Sequence, residues 1–486
     1  HRDLHSFPTR RSSDLFAGTP IVTQDVNVTL GFLVMGDTDR GTAFSIRGPN
    51  ATTSSTLTFD TGDGRMALLS HGSGDLNRDI GNGGDFLDVG ISVADAQGLY
   101  IDNYQHLIFR GGTTNSRAFN GGGYDVIKAE DGYVQFRTTI TNVNNFFVRD
   151  GYAEIYLEGD VAMRPDIQTV VVGVAPGTLD TGTLHPIQTI VKTGEGGAND
   201  RTQLPFFQIF GDNNTNAAGR LTNTFDIVLN RGAFRTFSRQ LATTAFRANW
   251  TNHQAVFTGD ITLNGSANES FILTEVQDAG NLTSSVRQTI FTGAITGDGG
   301  FTKYGTGEMT LLGTNDFTGT VNILRSFDRG RGRYGAIGLR EGGLMTGVAG
   351  FNILRDGGVY IDNSGVNIAD RINDDAWILN QCFGRFEILG NGQAPSMETI
   401  GSVTNRAGWM IFELDTHDST PQASTLNLAR LVRDPGTVVS FHASDVRQGA
   451  WATNAGAALT VNLLDGGASL DRKSVVEGKS VDLGGR

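Results

Sequence analysis

The chain has 486 residues, of which 66 are Gly, 10 are Pro and one is Cys, and its formal net charge is −13. A single Cys excludes a disulfide-stapled fold and zinc sites built on Cys pairs, and the acidic balance argues against a general nucleic-acid binder. No run of about 18 or more apolar residues occurs, so the sequence holds no candidate transmembrane helix.

Both ends of the chain resemble a sequence that is not protein-derived. Residues 1–15 match a translated short-read sequencing adapter, and residues 471–486 match its reverse complement, with Glu477 where the adapter has a stop codon. Segments of this kind are excluded from reasoning about a fold. The natural part then runs from Phe16 to Leu470, and its formal charge becomes about −15, because the two ends together carry about +2.

Short apolar runs bounded by Gly, Asn and Asp dominate the chain, and helical periodicity is weak. Runs of this length, rich in Val, Ile, Leu, Phe and Thr, are typical of β-strands separated by turns. The predicted strands, in chain order, are Val26–Val34, Leu57–Asp60, Leu87–Val93, Thr169–Val174, Ala255–Leu263, Met309–Leu312, Phe351–Leu354, Val359–Asp362 and Val438–His442.

Many short strands at even spacing fit a sandwich, a propeller or a solenoid. The solenoid is favoured because Gly and Asn recur at turn positions along a chain that is long for one sandwich and has no Pro-rich or charged linker. Coils of about 20–25 residues are typical of such folds. We therefore predict an all-β solenoid. The alternative is two packed β domains with a boundary near Gly194–Thr202.

One segment carries a specific resemblance. The stretch GDGGFTKYGTGEMTLLGTNDFTGTVNI, Gly297–Ile323, resembles the autotransporter-associated β-strand repeat of large bacterial surface proteins. Segments 351–372, 397–414 and 424–443 resemble further coils more loosely. The residues that fit the repeat pattern are Gly297, Gly299, Gly300, Phe301, Thr302, Lys303, Gly305, Gly307, Met309, Thr310, Leu311, Gly313, Asn315, Phe317, Thr318 and Gly319.

The resemblance implies a right-handed parallel β-helix (solenoid) from a passenger region, displayed on the cell surface or secreted beyond the outer membrane. It divides the natural part into irregular coils over residues 16–292 and repeat-containing coils over 293–470. The implied partners are a surface polysaccharide or a ligand on a host or neighbouring cell, with no nucleic acid and no membrane insertion by this segment. No catalytic, cofactor-binding or metal-binding residue is assigned, and no cofactor is expected.

The repeat can also be interpreted from its residues. Thr302, Thr310 and Thr318 are β-branched and suit strands. Asn315 is expected either to stack on Asn side chains of adjacent coils or to serve as a simple turn residue. Gly305, Gly307, Gly313 and Gly319 fall where corners are needed, and four apolar side chains are expected to point inward: Phe301, Met309, Leu311 and Phe317.

Several residue patterns could carry chemistry. Two Asp-Thr-Gly triplets, Asp60–Gly62 and Asp180–Gly182, match the active-site tripeptide of aspartic proteases, but turns are the favoured interpretation. A polysaccharide lyase needs a basic residue such as Arg371, but Arg371 lies near Asp374 and is expected to form a solvated surface pair with it. Acidic pairs could bind calcium or serve such a lyase, although none has calcium-loop spacing. These pairs are Asp37 and Asp39, Asp374 and Asp375, and Asp415 and Asp418.

The remaining candidates are isolated in the sequence. The histidines are scattered without metal-binding spacing, and Cys382, in the stretch NQCFGRFEIL beside Phe383, is expected to be a buried small hydrophobe. The basic cluster at 329–333 is expected to be a corner loop, with a polyanion contact as the alternative. The leading hypothesis is therefore a non-catalytic structural or adhesive passenger region, and the alternative is a carbohydrate-active β-helix enzyme.

Overall fold

The computed structural model describes residues 21–35, 45–49, 55–71, 85–103, 106–111, 117–130, 132–158, 165–174, 205–212, 220–239, 254–277, 288–305, 307–324, 335–355, 357–415, 422–443, 459–465, 475–476 and 482–483. The chain divides into two compact units, the first comprising His1–Gly173 and Asp180–Asp212 and the second Val174–Leu179 and Asn213–Arg486. Across the described residues the regular elements longer than a single residue are all β-strands.

The first unit contains strands β1–β16. They are β1 (Ile21–Thr23), β2 (Val28–Leu30), β3 (Phe32–Met35), β4 (Ser45–Arg47), β5 (Thr56–Phe59), β6 (Ala67–His71), β7 (Asp85–Asp88), β8 (Gly90–Val93), β9 (Leu99–Asn103), β10 (His106–Arg110), β11 (Phe119–Ala129), β12 (Tyr133–Arg137), β13 (Ile140–Val148), β14 (Tyr152–Glu158), β15 (Ile167–Val172) and β16 (Phe206–Asp212).

These strands form two parallel sheets. One has the order β1-β4-β7-β10-β12-β14-β16. The other runs β2-β5-β8-β11-β13-β15, and a second path, β3-β6-β9, joins it at β11. The register of β11 against β13 shifts between Asn120 and Val126, where Gly122 and Gly123 have positive φ. Each strand thus pairs with a strand one coil later, as a parallel β-helix requires.

The second unit contains strands β17–β41. They are β17 (Arg220–Asn223), β18 (Asp226–Leu229), β19 (Gly232–Arg239), β20 (Gln254–Phe257), β21 (Ile261–Leu263), β22 (Ser270–Gln277), β23 (Gln288–Phe291), β24 (Ile295–Thr296), β25 (Phe301–Tyr304), β26 (Glu308–Leu311), β27 (Thr314–Asn315), β28 (Thr320–Leu324), β29 (Ile337–Leu339), β30 (Leu344–Met345), β31 (Gly350–Arg355), β32 (Gly357–Asp362), β33 (Trp377–Asn380), β34 (Phe383–Leu389), β35 (Ser396–Asn405), β36 (Trp409–Asp415), β37 (Ser424–Arg433), β38 (Val438–Ala443), β39 (Leu459–Leu463), β40 (Val475–Val476) and β41 (Asp482–Leu483).

Three sets of parallel strands run through this unit. The first is β19-β22-β25-β28-β31-β33-β35-β37-β39-β41. The second is β17-β20-β23-β26-β29-β32-β34-β36-β38-β40, called the β17–β40 sheet below. The third consists of β18-β21-β24 and the pair β27-β30. Register partners are 20 residues apart at Ile290 and Thr310 but 34 apart at Val256 and Ile290, a wider range than predicted.

The core follows from side-chain alternation along the strands. In the β17–β40 sheet, Phe386, Phe412 and Phe441 are register partners and all three are buried. The rings of Phe412 and Phe441 stack with centroids 5.3 Å apart. Burying each such ring contributes about 1.5–3 kcal/mol of transfer free energy. Stacking of these phenylalanine rings in register therefore helps to hold successive coils together.

The structure confirms the predicted all-β parallel solenoid, and each predicted strand contains or overlaps an observed one. Residues 1–15 and the region Gly194–Thr202 lie outside the described residues, while the proposed division at 292/293 falls inside the second unit and stays a prediction. Two short strands, β40 and β41, fall within the adapter-like residues 471–486. Among the described residues there is no helix of the length and apolarity needed to cross a membrane.

Candidate functional site

The repeat-like segment Gly297–Ile323 uses its side chains to hold coils together. Phe301, Met309, Leu311 and Phe317 are fully buried, which confirms their predicted inward orientation. Thr302 and Thr310 lie in β25 and β26, but Thr318 is exposed between β27 and β28, so its predicted place in a strand is wrong.

Lys303 is fully buried in β25, where a lysine must be compensated for its lost hydration. Its Nζ donates to the carbonyl oxygens of Gly305 at 2.7 Å and Gly307 at 2.6 Å. Lys128 in the first unit is also fully buried, and its Nζ donates to the carbonyls of Glu130 and Asp150. Lys303 therefore satisfies carbonyls at the corner after its own strand, whereas Lys128 joins the corner after β11 to the corner after β13.

Asn315 bonds between coils, but through backbone groups. Its Oδ1 accepts the N–H of Ile295 at 3.0 Å, and its Nδ2 donates to the carbonyls of Gly313 and Leu344. The expected stacking on other Asn side chains does not occur at this position. Asn-to-Asn ladders do occur elsewhere, at Asn322 and Asn352, Asn380 and Asn405, and Asn427 and Asn462.

The repeat glycines allow adjacent coils to approach closely. Gly305 has φ of +103°, in the region that favours glycine. A Cβ on Gly300 would lie 2.1 Å from the carbonyl oxygen of Thr320, and one on Gly319 would lie 2.2 Å from that of Gly299. Gly299, Gly307 and Gly313 likewise lie against backbone atoms of the preceding coil. These residues of the repeat are thus accounted for by packing.

The first Asp-Thr-Gly triplet is a turn, as predicted. The Asp60 carboxylate accepts the N–H of Gly62 at 2.8 Å, and Gly62 has positive φ. Thr61 donates its hydroxyl to Asp95 at 2.6 Å, which fixes the turn against the next coil. The second triplet, Asp180–Gly182, lies outside the described residues.

Arg371 is fully buried, so the expected pairing with Asp374 at the surface is wrong. Its guanidinium donates to Asn363 Oδ1 at 2.7 Å and to the carbonyls of Gly343 and Val366. Burial lowers the pKa of Arg371. The nearby buried Glu398 accepts the N–H groups of Arg371 and Ile372, yet burial raises its pKa to about 8.

The other candidate residues do not converge. Asp374 and Asp375 are exposed neighbours. A slight loss of hydration, together with the negative charges of Asp370 and Asp375, raises the pKa of Asp374. Asp37, Asp39, Asp418 and residues 329–333 lie outside the described residues. Cys382 is partly exposed, contrary to its expected burial. Across the part of the chain that is described, no group of three metal-binding side chains occurs.

A different set of residues comes together on the β17–β40 sheet, on the face opposite the phenylalanine ladder. Strands β34, β36 and β38 begin with Phe383, Trp409 and Val438, which are register partners and are 37%, 36% and 42% exposed. We call these three side chains, two aromatic rings and the neighbouring Val438, the aromatic row. Four residues into each strand, the same register places Glu387, Glu413 and His442, which we call the charged row.

Arg385 lies between the two rows. Its guanidinium forms an ion pair with Glu413 one coil on and lies 3.9 Å from Glu387 on its own strand. The side chain of Arg385 is 35% exposed, whereas those of both glutamates are 3% exposed. Carboxylates directly opposite each other on paired strands repel, and the intervening guanidinium offsets that repulsion.

The aromatic row is fixed by its own contacts. Trp409 donates its indole N–H to Ser440 Oγ at 2.7 Å. Its ring meets the Phe383 ring edge-on at a centroid distance of 5.5 Å and lies 6.4 Å from the His442 ring. Each ring thus keeps its position while about a third of its side chain stays open to solvent.

A second cluster of charged side chains on the same sheet is fully paired within itself. Arg340 donates to both carboxylate oxygens of Glu308, at 3.0 and 3.2 Å, and to Asp362 at 2.7 Å. Its guanidinium lies 4.9 Å from the centroid of the Tyr360 ring. Burial by itself would raise the pKa of Asp362, but the hydrogen bond from Ser364 and the charge of Arg340 hold it below its ordinary value. This network stabilises coils and offers little to a ligand.

Sequence analysis missed the two rows, although a signal exists. FGRFEIL (383–389) and WMIFELD (409–415) share an aromatic residue, then Phe and Glu three and four positions later, with a spacing of 26 residues. That spacing equals the register offset between β34 and β36. Without the register, nothing in the sequence indicates that the two glutamates face each other.

Comparisons with known proteins were made for the whole chain. No protein-family model matches it, and neither the curated proteins nor the solved structures include a significant match. The repeat-like segment and the two rows are therefore the features of the chain that indicate a function.

Proposed function

We propose that the natural part of this chain is a non-catalytic passenger region of a large bacterial surface or secreted protein, with a structural or adhesive role. The proposal rests on the repeat-like segment. There, Lys303 and Asn315 form hydrogen bonds that hold corners and adjacent coils together. A solenoid built this way presents long, regular faces, which suit binding to extended partners.

An adhesion experiment tests the proposal. The fluorescently labelled full chain is incubated with intact bacterial cells and with surface polysaccharides isolated from them. We expect saturable binding that leaves the polysaccharide intact, and heat-unfolded protein serves as the control. Release of new reducing or unsaturated ends from the polysaccharide would refute a non-catalytic role.

A carbohydrate-active enzyme is the second candidate function, and the charged row favours it. Strands of one sheet are about 4.8 Å apart, so Glu387 and Glu413 belong to a carboxylate pair on neighbouring strands. Pairs of carboxylates about 5–9 Å apart are the catalytic groups of most glycoside hydrolases. Arg385 could also bind an acidic sugar, as a lyase requires.

The enzyme candidate is tested with a panel of neutral and acidic polysaccharides. Hydrolysis would appear as new reducing ends, and elimination would appear as new unsaturated ends. Glu413→Gln should abolish either activity, whereas Glu398→Gln, which changes a buried glutamate on β35 outside the β17–β40 sheet, should retain it. Absence of turnover on the whole panel would remove this candidate.

A further inference from the structure

We propose that the aromatic row, together with Arg385, binds a neutral glycan chain that runs along the stacked coils. The inference rests on the proposed adhesive role and names its surface and ligand class. Exposed large apolar side chains are ordinary when scattered, but three in direct register form a continuous patch.

The spacing of the row fits a chain of sugar rings. Neighbouring coils are about 4.8 Å apart, close to the length of one hexose unit in an extended polysaccharide. Aromatic faces are electron-rich and attract the weakly positive C–H groups on the flat face of a pyranose. Trp409 and Phe383 have ring centroids 5.5 Å apart and ring planes at 76°, so the face of one ring and the edge of the other would contact consecutive sugars.

The polar neighbours fit hydroxyl groups. Arg385 is partly exposed beside the row and can donate N–H groups to sugar oxygens. Its position is set by the ion pair with the buried Glu413, so little side-chain entropy is lost when a ligand binds.

The local charge selects a neutral ligand. Glu387 and Glu413 lie on this face and share the cation Arg385, Asp415 lies two residues beyond Glu413 in β36, and the whole chain carries a net charge of −13. An acidic polysaccharide would meet repulsion here. A protein partner is disfavoured as well, because stable protein interfaces bury about 800 Å² on each side, far more than three partly exposed side chains provide.

The test uses the full chain and cellohexaose as the neutral probe, with polygalacturonate as the acidic probe. Isothermal titration should detect binding of cellohexaose and none of polygalacturonate. Trp409→Ala should weaken cellohexaose binding about tenfold or more, as expected for a central aromatic contact. Trp409→Phe should retain most of the affinity because it keeps an aromatic face.

Matched controls are the exposed apolar residues Val366 and Met397, which are 42% and 40% exposed outside the row. Val366→Ala and Met397→Ala should bind as the unmodified chain does, and circular dichroism checks that every variant is folded. Equal affinity in Trp409→Ala, or binding of polygalacturonate alone, would overturn the inference.

Failure of this inference is distinguishable from failure of the proposed function. If the chain binds cells but not cellohexaose, the inference is wrong and the adhesive role stands. If capture of another protein requires Trp409 while cellohexaose does not bind, the row is a protein-binding surface and the inference is again wrong. If cellohexaose is cleaved, the non-catalytic role is wrong.

Discussion

Replacement of Arg340 by Ala should destabilise the second unit strongly. The substitution removes a guanidinium that is 19% exposed and leaves the Glu308 and Asp362 carboxylates, 2% and 10% exposed, without their cation. Breaking a buried ion pair from one side costs about 3–5 kcal/mol. Because Arg340 keeps some contact with water, we expect about 3 kcal/mol, near the lower end of that range.

The measurement is urea unfolding followed by circular dichroism, in which the midpoint should fall by up to about 1 M, because a unit of this size has a urea m-value of about 3 kcal/mol/M or more. Arg340→Lys should recover part of the loss, since an ammonium replaces the charge but not the bidentate geometry. The triple variant Glu308→Gln, Arg340→Met, Asp362→Asn should lie nearer the unmodified chain than Arg340→Ala, because it leaves no uncompensated charge. A midpoint for Arg340→Ala equal to that of the unmodified chain would refute this reasoning.

Three further predictions concern groups that join coils. The raised pKa of Glu398, about 8 against an ordinary 4.5, means that its protonated form is favoured in the folded chain. Its stabilising contribution is therefore complete below pH 4.5 and is lost as the pH rises through about 8, by up to about 5 kcal/mol. Lys303→Met should cost about 2–5 kcal/mol in urea unfolding, because it leaves two buried carbonyls without their charged donor. Asn315→Leu should cost about 2–4 kcal/mol by the same measurement, because the N–H of Ile295 and the carbonyl of Leu344 lose their partner.

Each of these predictions has its own control. Glu398→Gln should flatten the pH dependence between pH 4.5 and 8, and an unchanged slope would contradict the assignment to Glu398. Lys303→Arg retains the charge and should be milder than Lys303→Met, and the reverse order would count against carbonyl capping. Thr318→Val, at an exposed neighbouring position, should change the urea midpoint little compared with Asn315→Leu.

The repeat-like segment shows how far residue patterns reach. Alternation placed Phe301 and Met309 inside, and both are buried, because a strand sends successive side chains to opposite faces. Thr318 was misassigned to a strand because β-branching is a weak local preference that the chain overrides at a corner. The partners of Asn315 on other coils, Ile295 and Leu344, could not be predicted, since they lie 20 and 29 residues away.

Side-chain exposure was predicted wrongly from the sequence for both Arg371 and Cys382. A charged residue near Asp374 was expected at the surface and is buried, because corner carbonyls and Asn363 satisfy its guanidinium. Cys382, next to Phe383, was expected to be buried and is partly exposed just before β34 begins. In both cases the neighbours that set exposure come from other coils.

Composition and alternation by themselves determined that this chain is all-β, because strand period and turn chemistry are local properties of the sequence, and they favoured a solenoid over a sandwich or a propeller. The register between strands decided which side chains lie next to each other. It set Glu387 opposite Glu413 and Phe383 beside Trp409, since parallel pairing joins residues about one coil apart, and the coil length varies with the loops between strands. A shift of one residue would have turned both rows into the core, so only the tertiary structure could bring them together on the outward face of the sheet.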